Sequence, residues 1–504
     1  MAAGRESYLV IRADGDTRMG TGHVMRCLAL GQAWQDEGGK VALVMAPAAP
    51  ALESRVQSEG MEVSRLAAVP GSLEDARQTV QLAQQCEALW IVADGYQFGF
   101  EYQRLIKASG QRLLVIDDHG HAGRYCADLV LNQNLHAHPD LYGHKELGTS
   151  LLLGPRYVLL RREFLAWRAW SREIPPRAAG ILVTLGGGDP DNVTRKVLQA
   201  LNRADLEPLE ATVIVGGANP HLEELSNEIS KFRHSVRLSR DVSNMPELMA
   251  RADAAITAGG TTCWEMAFMG LPGLVVILAD NQRPVAEKLA ELGAAVNLGW
   301  HADLSVDRIN RAAVSLVTDA AQRAQLSRTG RRLVDGDGVA RVLMRLKGFR
   351  VRLRPVGSDD APWLWEWVND PVVRESALTN HYISWEEHIA WFQRKLSDPH
   401  CFHFMALDEA DTPVGQVRFD RVEEEAEVDV SIVRDKRGQH LGSFLIDLGT
   451  KKMFTLTDIK KVIAYIKPGN VTSIKAFGKA GYQNQGKKTV RGRRVLHLTR
   501  FKAG

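Results

Sequence analysis

The chain has 504 residues, a formal net charge of +3, and nearly balanced acidic and basic residues. That length exceeds what one hydrophobic core organises, so two or three domains are expected, and the charge balance excludes a global nucleic-acid-binding composition. Five scattered cysteines without a Cys-x-x-Cys pair exclude a disulfide scaffold and a cysteine zinc site, and point to reduced thiols in a cytoplasmic protein.

No basic start followed by an apolar stretch opens the chain, so no secretory leader is expected. The longest apolar run, around residues 273–279, is far shorter than the roughly 20 residues that cross a bilayer, so no membrane partner is expected either.

From Tyr8 to about Tyr157, short apolar runs alternate with helical patterns. Strands are expected at 9–11, 41–45, 89–93, 113–117 and 129–132. They are continuously apolar, as strands of a parallel sheet covered on both faces are. The first leads through Arg12-Ala13-Asp14 into Gly20-Thr21-Gly22-His23-Val24-Met25-Arg26-Cys27, which opens a helix with Val24, Leu28 and Gly31 on one side. Polar residues collect at the strand ends: Asp94-Gly95-Tyr96, Asp117-Asp118-His119 and Asn132-Gln133-Asn134. Turn and cap chemistry accounts for any one of them. Together they mark the edge at which open α/β sheets bind ligands.

A polar, proline-containing linker, Ser171-Arg172-Glu173-Ile174-Pro175-Pro176-Arg177, precedes a second unit of the same kind. It opens with Ile181-Leu182-Val183-Thr184-Leu185, a glycine loop (Gly186-Gly187-Gly188-Asp189-Pro190), and a helix near Asn192. Further strands are expected at 211–215, 254–257 and 274–278, with Gly259-Gly260-Thr261-Thr262-Cys263-Trp264-Glu265 and Asp280-Asn281-Gln282 after the last two. The architecture repeats, the residues do not. Two doubly wound domains suggest a ligand held in the cleft between them.

A third composition begins after Gly348. Phe349-Arg350-Val351-Arg352-Leu353-Arg354 alternates apolar and basic residues, and a helix with Trp363, Trp365 and Trp367 follows. Antiparallel strands are expected at 404–407, 414–419 and 426–432. In the last, Ala426, Val428, Val430 and Ile432 share one face, and Glu425, Glu427, Asp429 and Ser431 the other. The turn Arg434-Asp435-Lys436-Arg437-Gly438-Gln439-His440-Leu441-Gly442 leads into an apolar helix from Ser443. The basic residues Lys487, Lys488, Arg491, Arg493 and Arg494 read more simply as a solvated edge hairpin than as a nucleic-acid patch. The expected fold class is therefore α/β, two Rossmann-like domains (residues 1–171 and 172–347) followed by an α+β domain (348–504).

The glycine loop before His23 lacks the third glycine of the dinucleotide fingerprint, because Met25 stands there, and it carries no phosphate-loop lysine. A generic nucleotide loop is the plain alternative. A helix N-terminus disfavours a cation, which suits a histidine that must be neutral to take a proton.

The motifs taken together are more specific. The Arg12-Ala13-Asp14 and Gly20–Cys27 segments, Asp94-Gly95-Tyr96, Ala127-Asp128-Leu129-Val130-Leu131-Asn132-Gln133-Asn134, Gly154-Pro155-Arg156-Tyr157, the Gly259–Glu265 segment and Asp280-Asn281-Gln282 occur in this order. Over about residues 6–345 the chain resembles the UDP-2,4-diacetamido-2,4,6-trideoxy-β-L-altropyranose hydrolases of pseudaminic acid biosynthesis, a GT-B-like family. The resemblance implies that His23 is the general base activating water at the anomeric carbon, with no metal required. It implies that Gly22, Tyr96 and Asn281 line the sugar site, and that Gly259, Gly260, Thr261, Thr262 and Glu265 hold UDP, with Glu265 on the ribose. Packing at a strand end is the plain alternative for Tyr96, and a first-turn helix acid for Glu265. Arg12 and Asp14 are counted with the substrate-binding residues; with Arg26 they orient the loop through ion pairs.

The turn 437–442 resembles the pyrophosphate loop of GNAT N-acetyltransferases, and Asn470, Ser473, Phe477, Gly481 and Tyr482 match the spacing of that fold's last helix; the likeness covers about residues 349–502. It implies acetyl-CoA as co-substrate, bound by Ile432, Arg437, Gly438, Gln439, His440, Leu441, Gly442 and Asn470. His440 replaces the loop's usual second glycine, and Phe477 the tyrosine that serves as general acid in many members. Glu427 or Asp429 is a base for the attacking amine, or simply solvent-exposed.

The pairing implies two consecutive steps on one UDP-amino sugar. These are acetylation of its 4-amino group by the third domain, then hydrolysis releasing UDP by the first two. The alternatives are a GT-B glycosyltransferase, or a sugar-nucleotide sensor with a protein acetyltransferase. The residues do not specify sugar stereochemistry or oligomeric state.

Overall fold

The computed structural model describes residues 7–15, 20–48, 50–203, 206, 209–217, 219–233, 235–240, 242–347, 351–377, 379–408, 411–437, 441–490 and 492–502. The chain divides into two compact units, Met1–Leu346 and Lys347–Gly504.

The first unit contains two parallel sheets. One is built from β1 (Tyr8–Ala13), β2 (Lys40–Met45), β3 (Glu62–Arg65), β4 (Trp90–Asp94), β5 (Arg112–Ile116), β6 (Leu129–Asn132) and β7 (Ser150–Leu153), in the order β3-β2-β1-β4-β5-β6-β7. The other contains β8 (Gly180–Thr184), β9 (Glu210–Val215), β10 (Ser235–Arg240), β11 (Ala254–Ala258), β12 (Gly273–Ile277) and β13 (Val296–Trp300), in the order β10-β9-β8-β11-β12-β13. Each order reverses direction once, between β1 and β4 and between β8 and β11. Loops leaving the strands on either side of a reversal diverge and open a crevice at the carboxyl edge.

In this first unit four strands were not expected from the sequence: β3, β7, β10 and β13. All four are edge strands. They are mostly half-exposed; β3, β10 and β13 lack the continuous apolar run that marks a central strand, whereas β7 carries the short run Leu151-Leu152-Leu153 at a sheet edge. The expected strand at 89–93 is shifted by one residue, because Leu89 is 54 % exposed and Asp94 completes the strand in full burial.

The two Rossmann domains exchange segments. Val158, Leu160 and Phe164 pack into the core around Trp264 and Met269, whereas Leu159 joins the core beneath β1. The helix Gly338–Leu346 returns to that first core through Val339, Val342, Leu343 and Leu346, and the Trp90 indole donates to the Leu346 carbonyl at 2.6 Å. Residues 338–346, expected within the second domain, therefore pack with the first. Burial is the reason: the helix carries one apolar stripe, and the first core is where that stripe is covered.

The second unit is a mixed sheet of β14 (Arg352–Pro355), β15 (Cys401–Leu407), β16 (Pro413–Val422), β17 (Glu425–Ile432), β18 (Lys461–Ile466), β19 (Gln483–Val490) and β20 (Arg493–Phe501), in the order β14-β15-β16-β17-β18-β20-β19. Only β17 and β18 pair in parallel. The helix Leu441–Leu456 packs its buried residues Leu445, Ile446 and Met453 on the face carrying Ala426 and Val428. The tryptophan-rich helix is Ala361–Val368.

Candidate functional site

In the first unit a cavity of about 980 Å³ lies along the crevice between the Rossmann domains. It is lined from the first domain by Gly20, Gly22, His23, Arg26, Tyr96 and Asp118, and from the second by Gly187, Gly259, Gly260, Thr261, Glu265 and Asn281. The two glycine loops approach closely. A Cβ on Gly187 would lie 2.9 Å from the Thr21 hydroxyl, and one on Gly22 would lie 3.5 Å from that of Thr261. Gly20 has φ of +78°, a conformation glycine adopts without strain.

His23 stands in the first turn of the helix Gly22–Asp36, just after β1, and Asp94 ends the neighbouring β4. The strand reversal thus brings them together: His23 Nδ1 lies 2.6 Å from Asp94 Oδ1. Burial would push the Asp94 carboxyl up, but Arg26 and His23 hold it below its ordinary value. An ionised carboxylate only accepts, so Nδ1 carries a proton, and in the neutral imidazole Nε2 is the ring's acceptor. Arg26 Nη2, 3.2 Å from the same ring nitrogen, donates to Asp94 Oδ1 at 2.7 Å, so a single carboxylate oxygen satisfies both donors.

Arg26 also binds Asp118, with Nη1 donating to Oδ1 at 2.7 Å. Asp118 accepts from the Tyr96 hydroxyl at 2.9 Å and from Asn134 Nδ2 at 2.7 Å, and Arg26 holds it well below the usual carboxylate range despite burial. Tyr96 in turn accepts from Asn281 Nδ2 at 2.7 Å, a hydrogen bond that crosses the cleft. Its ring meets that of His23 edge-on at 5.1 Å.

A second cross-domain contact lies at Glu265, in the first turn of the helix Thr262–Met269, whose Oε1 accepts from Arg161 Nη2 at 2.8 Å. The sequence-expected residues Gly22, His23, Tyr96, Gly259, Gly260, Thr261, Thr262, Glu265 and Asn281 all border the cavity. Arg12 and Asp14 do not. Arg12 is fully buried and donates to Asp75 and to Asp14, and Asp14 accepts from the Ala46 amide at 2.8 Å and from Gln97 Nε2 at 2.9 Å.

Sequence reasoning missed Asp94 and Asp118 as partners of His23 and Arg26, although it noted both at strand ends. Arg161 carried no signal at all, since only the tertiary path of the connecting segment brings it to Glu265. Among the described residues no group of three His, Cys, Asp or Glu side chains converges as a metal site would, and no helix is long and apolar enough to cross a membrane.

In the second unit β17 and β18 pair only through Glu425–Glu427 and Lys461–Ile463, although β17 continues to Ile432 and β18 to Ile466. Beyond those pairs no ladder joins the two strands among the described residues. The following turn holds Arg437, whose Nε donates to the Ile432 carbonyl at 2.9 Å and whose Nη1 donates to Asp370 at 2.8 Å. Gly438, Gln439 and His440 lie outside the described residues. Leu441 is buried and opens the long helix, and Gly442 follows it beside Ile432.

Asn470 caps the helix Val471–Lys479, accepting from the Ser473 amide at 3.0 Å, and Phe477 is buried against Tyr482. On the opposite face of β17, Glu427 is half-buried and Asp429 exposed. Asp429 accepts from Gln416 Nε2 at 3.1 Å. Gln416 also meets His403 Nε2 at 2.9 Å, and burial together with Arg418 lowers His403 to about 4.

A family model of the GNAT acetyltransferase domain matches residues 350–483, and one of the glycosyltransferase family 28 C-terminal domain matches 181–334. The uncharacterized protein MJ1062 of Methanocaldococcus jannaschii is 22% identical over 504 residues, covering 96% of this chain and 98% of its own. The spore coat polysaccharide biosynthesis protein SpsG of Bacillus subtilis is 32% identical over 195 residues, 38% of this chain and 57% of its own. The UDP-2,4-diacetamido-2,4,6-trideoxy-β-L-altropyranose hydrolase of Campylobacter jejuni is 23% identical over 290 residues, 57% of this chain and 98% of its own. In fold, the crystal structure of Acinetobacter baumannii MurG aligns with 68% of this chain and 100% of its own, at 16% identity and a TM-score of 0.50. The chain joins a GT-B-like pair of Rossmann domains, similar in sequence to that hydrolase and to SpsG, to a domain that matches the GNAT acetyltransferase model.

Proposed function

We propose that the chain carries out two consecutive steps on a UDP-amino sugar of pseudaminic acid biosynthesis. The GNAT domain transfers the acetyl group of acetyl-CoA to the 4-amino group of UDP-4-amino-4,6-dideoxy-N-acetyl-β-L-altrosamine. The Rossmann pair then hydrolyses the resulting UDP-2,4-diacetamido-2,4,6-trideoxy-β-L-altropyranose to free sugar and UDP.

The observation that carries the hydrolytic reading is the His23–Asp94 pair at the strand reversal, facing the second domain's glycine loop. His23 Nε2 takes a proton from water, the water oxygen bonds to the anomeric carbon, and the bond to the UDP oxygen breaks with its electron pair leaving on UDP. The amides of residues 259–262 and the start of the following helix favour the diphosphate charge as it develops. Asp94 keeps the imidazole in the required tautomer, and Tyr96 and Asn281 border the sugar from opposite walls. Arg12 and Asp14 support the loop from behind.

In the GNAT domain, the backbone around Ile432, Arg437 and the 438–442 turn would hold acetyl-CoA. The amine nitrogen attacks the thioester carbonyl, its proton goes to Asp429 or Glu427, and the CoA thiolate leaves; placement of the amine supplies most of the rate.

A glycosyltransferase reading is kept because the second domain matches the family 28 model and the fold is shared with MurG. One experiment addresses both. The purified chain is given the 4-amino UDP-sugar with acetyl-CoA and no acceptor, and CoA and UDP are followed together. Release of both is expected. CoA without UDP refutes the hydrolase assignment and favours transfer to an absent acceptor.

A further inference from the structure

Arg161 lies on the segment that crosses between the Rossmann domains, directly after Leu159, which packs in the first core, and Leu160, which packs in the second. Its guanidinium is divided between two acids. Nη2 donates to Glu265 Oε1 at 2.8 Å, and Nη1 stands 3.0 Å from Glu163 Oε1. Its Nε is buried without a hydrogen-bond partner. Glu163 is anchored in turn to the first domain by Arg55 Nη2 at 3.2 Å and Gln32 Nε2 at 3.4 Å. The Arg161 and Glu265 side chains are only 7% and 14% exposed, yet both border the cavity. Exposed ion pairs contribute little, but a desolvated carboxylate depends on its counter-charge, and arginine's planar fork also fixes its orientation.

Resting on the reading of residues 259–265 as the nucleotide site, we propose that Arg161 is a positioning residue for the nucleotide. It holds the Glu265 carboxylate charged and oriented, so that its second oxygen can accept hydrogen bonds from the vicinal diol of a ribose. A carboxylate accepts through both oxygens, whereas a protonated acid gives up part of that capacity. Burial holds the Glu265 carboxyl above its ordinary value; Arg161 limits the rise, and Glu163 adds to it. The Cys263 thiol, on the same helix, is pushed up by burial to about 12 and stays neutral. Without Arg161, Glu265 protonates at higher pH, so nucleotide binding weakens as pH falls.

The test is calorimetric titration of UDP into the full-length chain and its variants across neutral and mildly acidic pH. UDP's own protonation cancels in the ratio to the unaltered protein. R161M is expected to weaken UDP about tenfold at the acidic end and much less at the neutral end. R161K, which keeps the charge should R161M fold poorly, is expected to weaken it about threefold with the same pH sign. E265Q weakens UDP at every pH, and the R161M/E265Q double variant matches E265Q alone, because Arg161 acts through Glu265.

Two results overturn the proposal while leaving the nucleotide loop intact. In one, R161M and R161K bind like the unaltered protein while E265Q is weakened. In the other, R161M costs as much affinity in the E265Q background as alone, which makes Arg161 a direct ligand. Unaltered UDP affinity in E265Q overturns the nucleotide-site reading itself.

Discussion

The two Rossmann domains share an architecture and face the same cleft, but they bring different chemistry to it. At the reversal of the first sheet the crevice holds ionic side chains: His23, Arg26, Asp94 and Asp118, each paired within hydrogen-bonding distance. At the reversal of the second it holds a turn of small residues, Gly259, Gly260, Thr261 and Thr262, that exposes main chain. Side chains with defined protonation states suit proton transfer; a backbone turn at a helix start suits an anion. On the proposed reading one fold supplies a base on one side and a phosphate cradle on the other, and the difference resides in the residues just past the strand ends rather than in the strands.

This contrast can be broken most sharply at His23. His23→Asn is expected to lower UDP release by about 10²–10⁴-fold while leaving UDP affinity, measured by titration, close to that of the unaltered protein. Near-normal turnover would transfer the base function elsewhere. Asp94→Asn comes next. Loss of the tautomer control is expected to cost about 10²-fold or more in turnover. Weakening the buried pairing of Arg26 is expected to lower stability by about 3 kcal/mol in denaturant unfolding. If activity falls without any loss of stability, Asp94 is not the anchor of Arg26.

On the opposite wall, Gly259→Ala should affect binding and spare the base. Its Cβ would lie 3.0 Å from the Gln282 carbonyl, so UDP affinity should fall about threefold to tenfold, with the turnover of bound substrate nearly unchanged.

Acidification separates the two compact units. Asp94 and Asp118 are held below the ordinary carboxylate value, so their contribution to stability is present above that value and is lost as pH falls through the depressed one. His403 is lowered from 6.5 to about 4, so the unfolded chain binds the extra proton between those values. Its contribution is present above 6.5 and is lost on the way down to about 4. Hydrogen exchange in peptides from β15 and β16 should therefore accelerate before exchange around β1 and β4. His403→Gln should remove that early phase, and its persistence would rule His403 out as the cause.

The smallest expected effect concerns Asn470. As a helix cap its replacement by alanine should cost about 1 kcal/mol, and serine should restore it. Acetyl-CoA affinity that serine does not restore would identify a direct contact with the co-substrate.

Much of the fold was legible because central parallel strands are buried on both faces and must be continuously apolar. The edge strands β3, β10 and β13 escaped notice because half-exposed strands have no such obligation. In the site, the glycine loops and His23 could be read from local pattern, since a strand, a tight turn and a helix start are adjacent in sequence. The charge network could not. His23 and Asp94 are 71 residues apart, and Arg161 and Glu265 are 104 apart.

What the sequence by itself determined is the set of strand–loop–helix units and the residue types at their carboxyl ends, because backbone conformation and burial act locally. Only the tertiary structure decided which of those ends meet. The order of strands about each reversal set Asp94 against His23, and the crossing of residues 158–164 into the second core set Arg161 against Glu265. A desolvated ion pair depends on its counter-charge, and which counter-charge is near is a property of topology, not of sequence order.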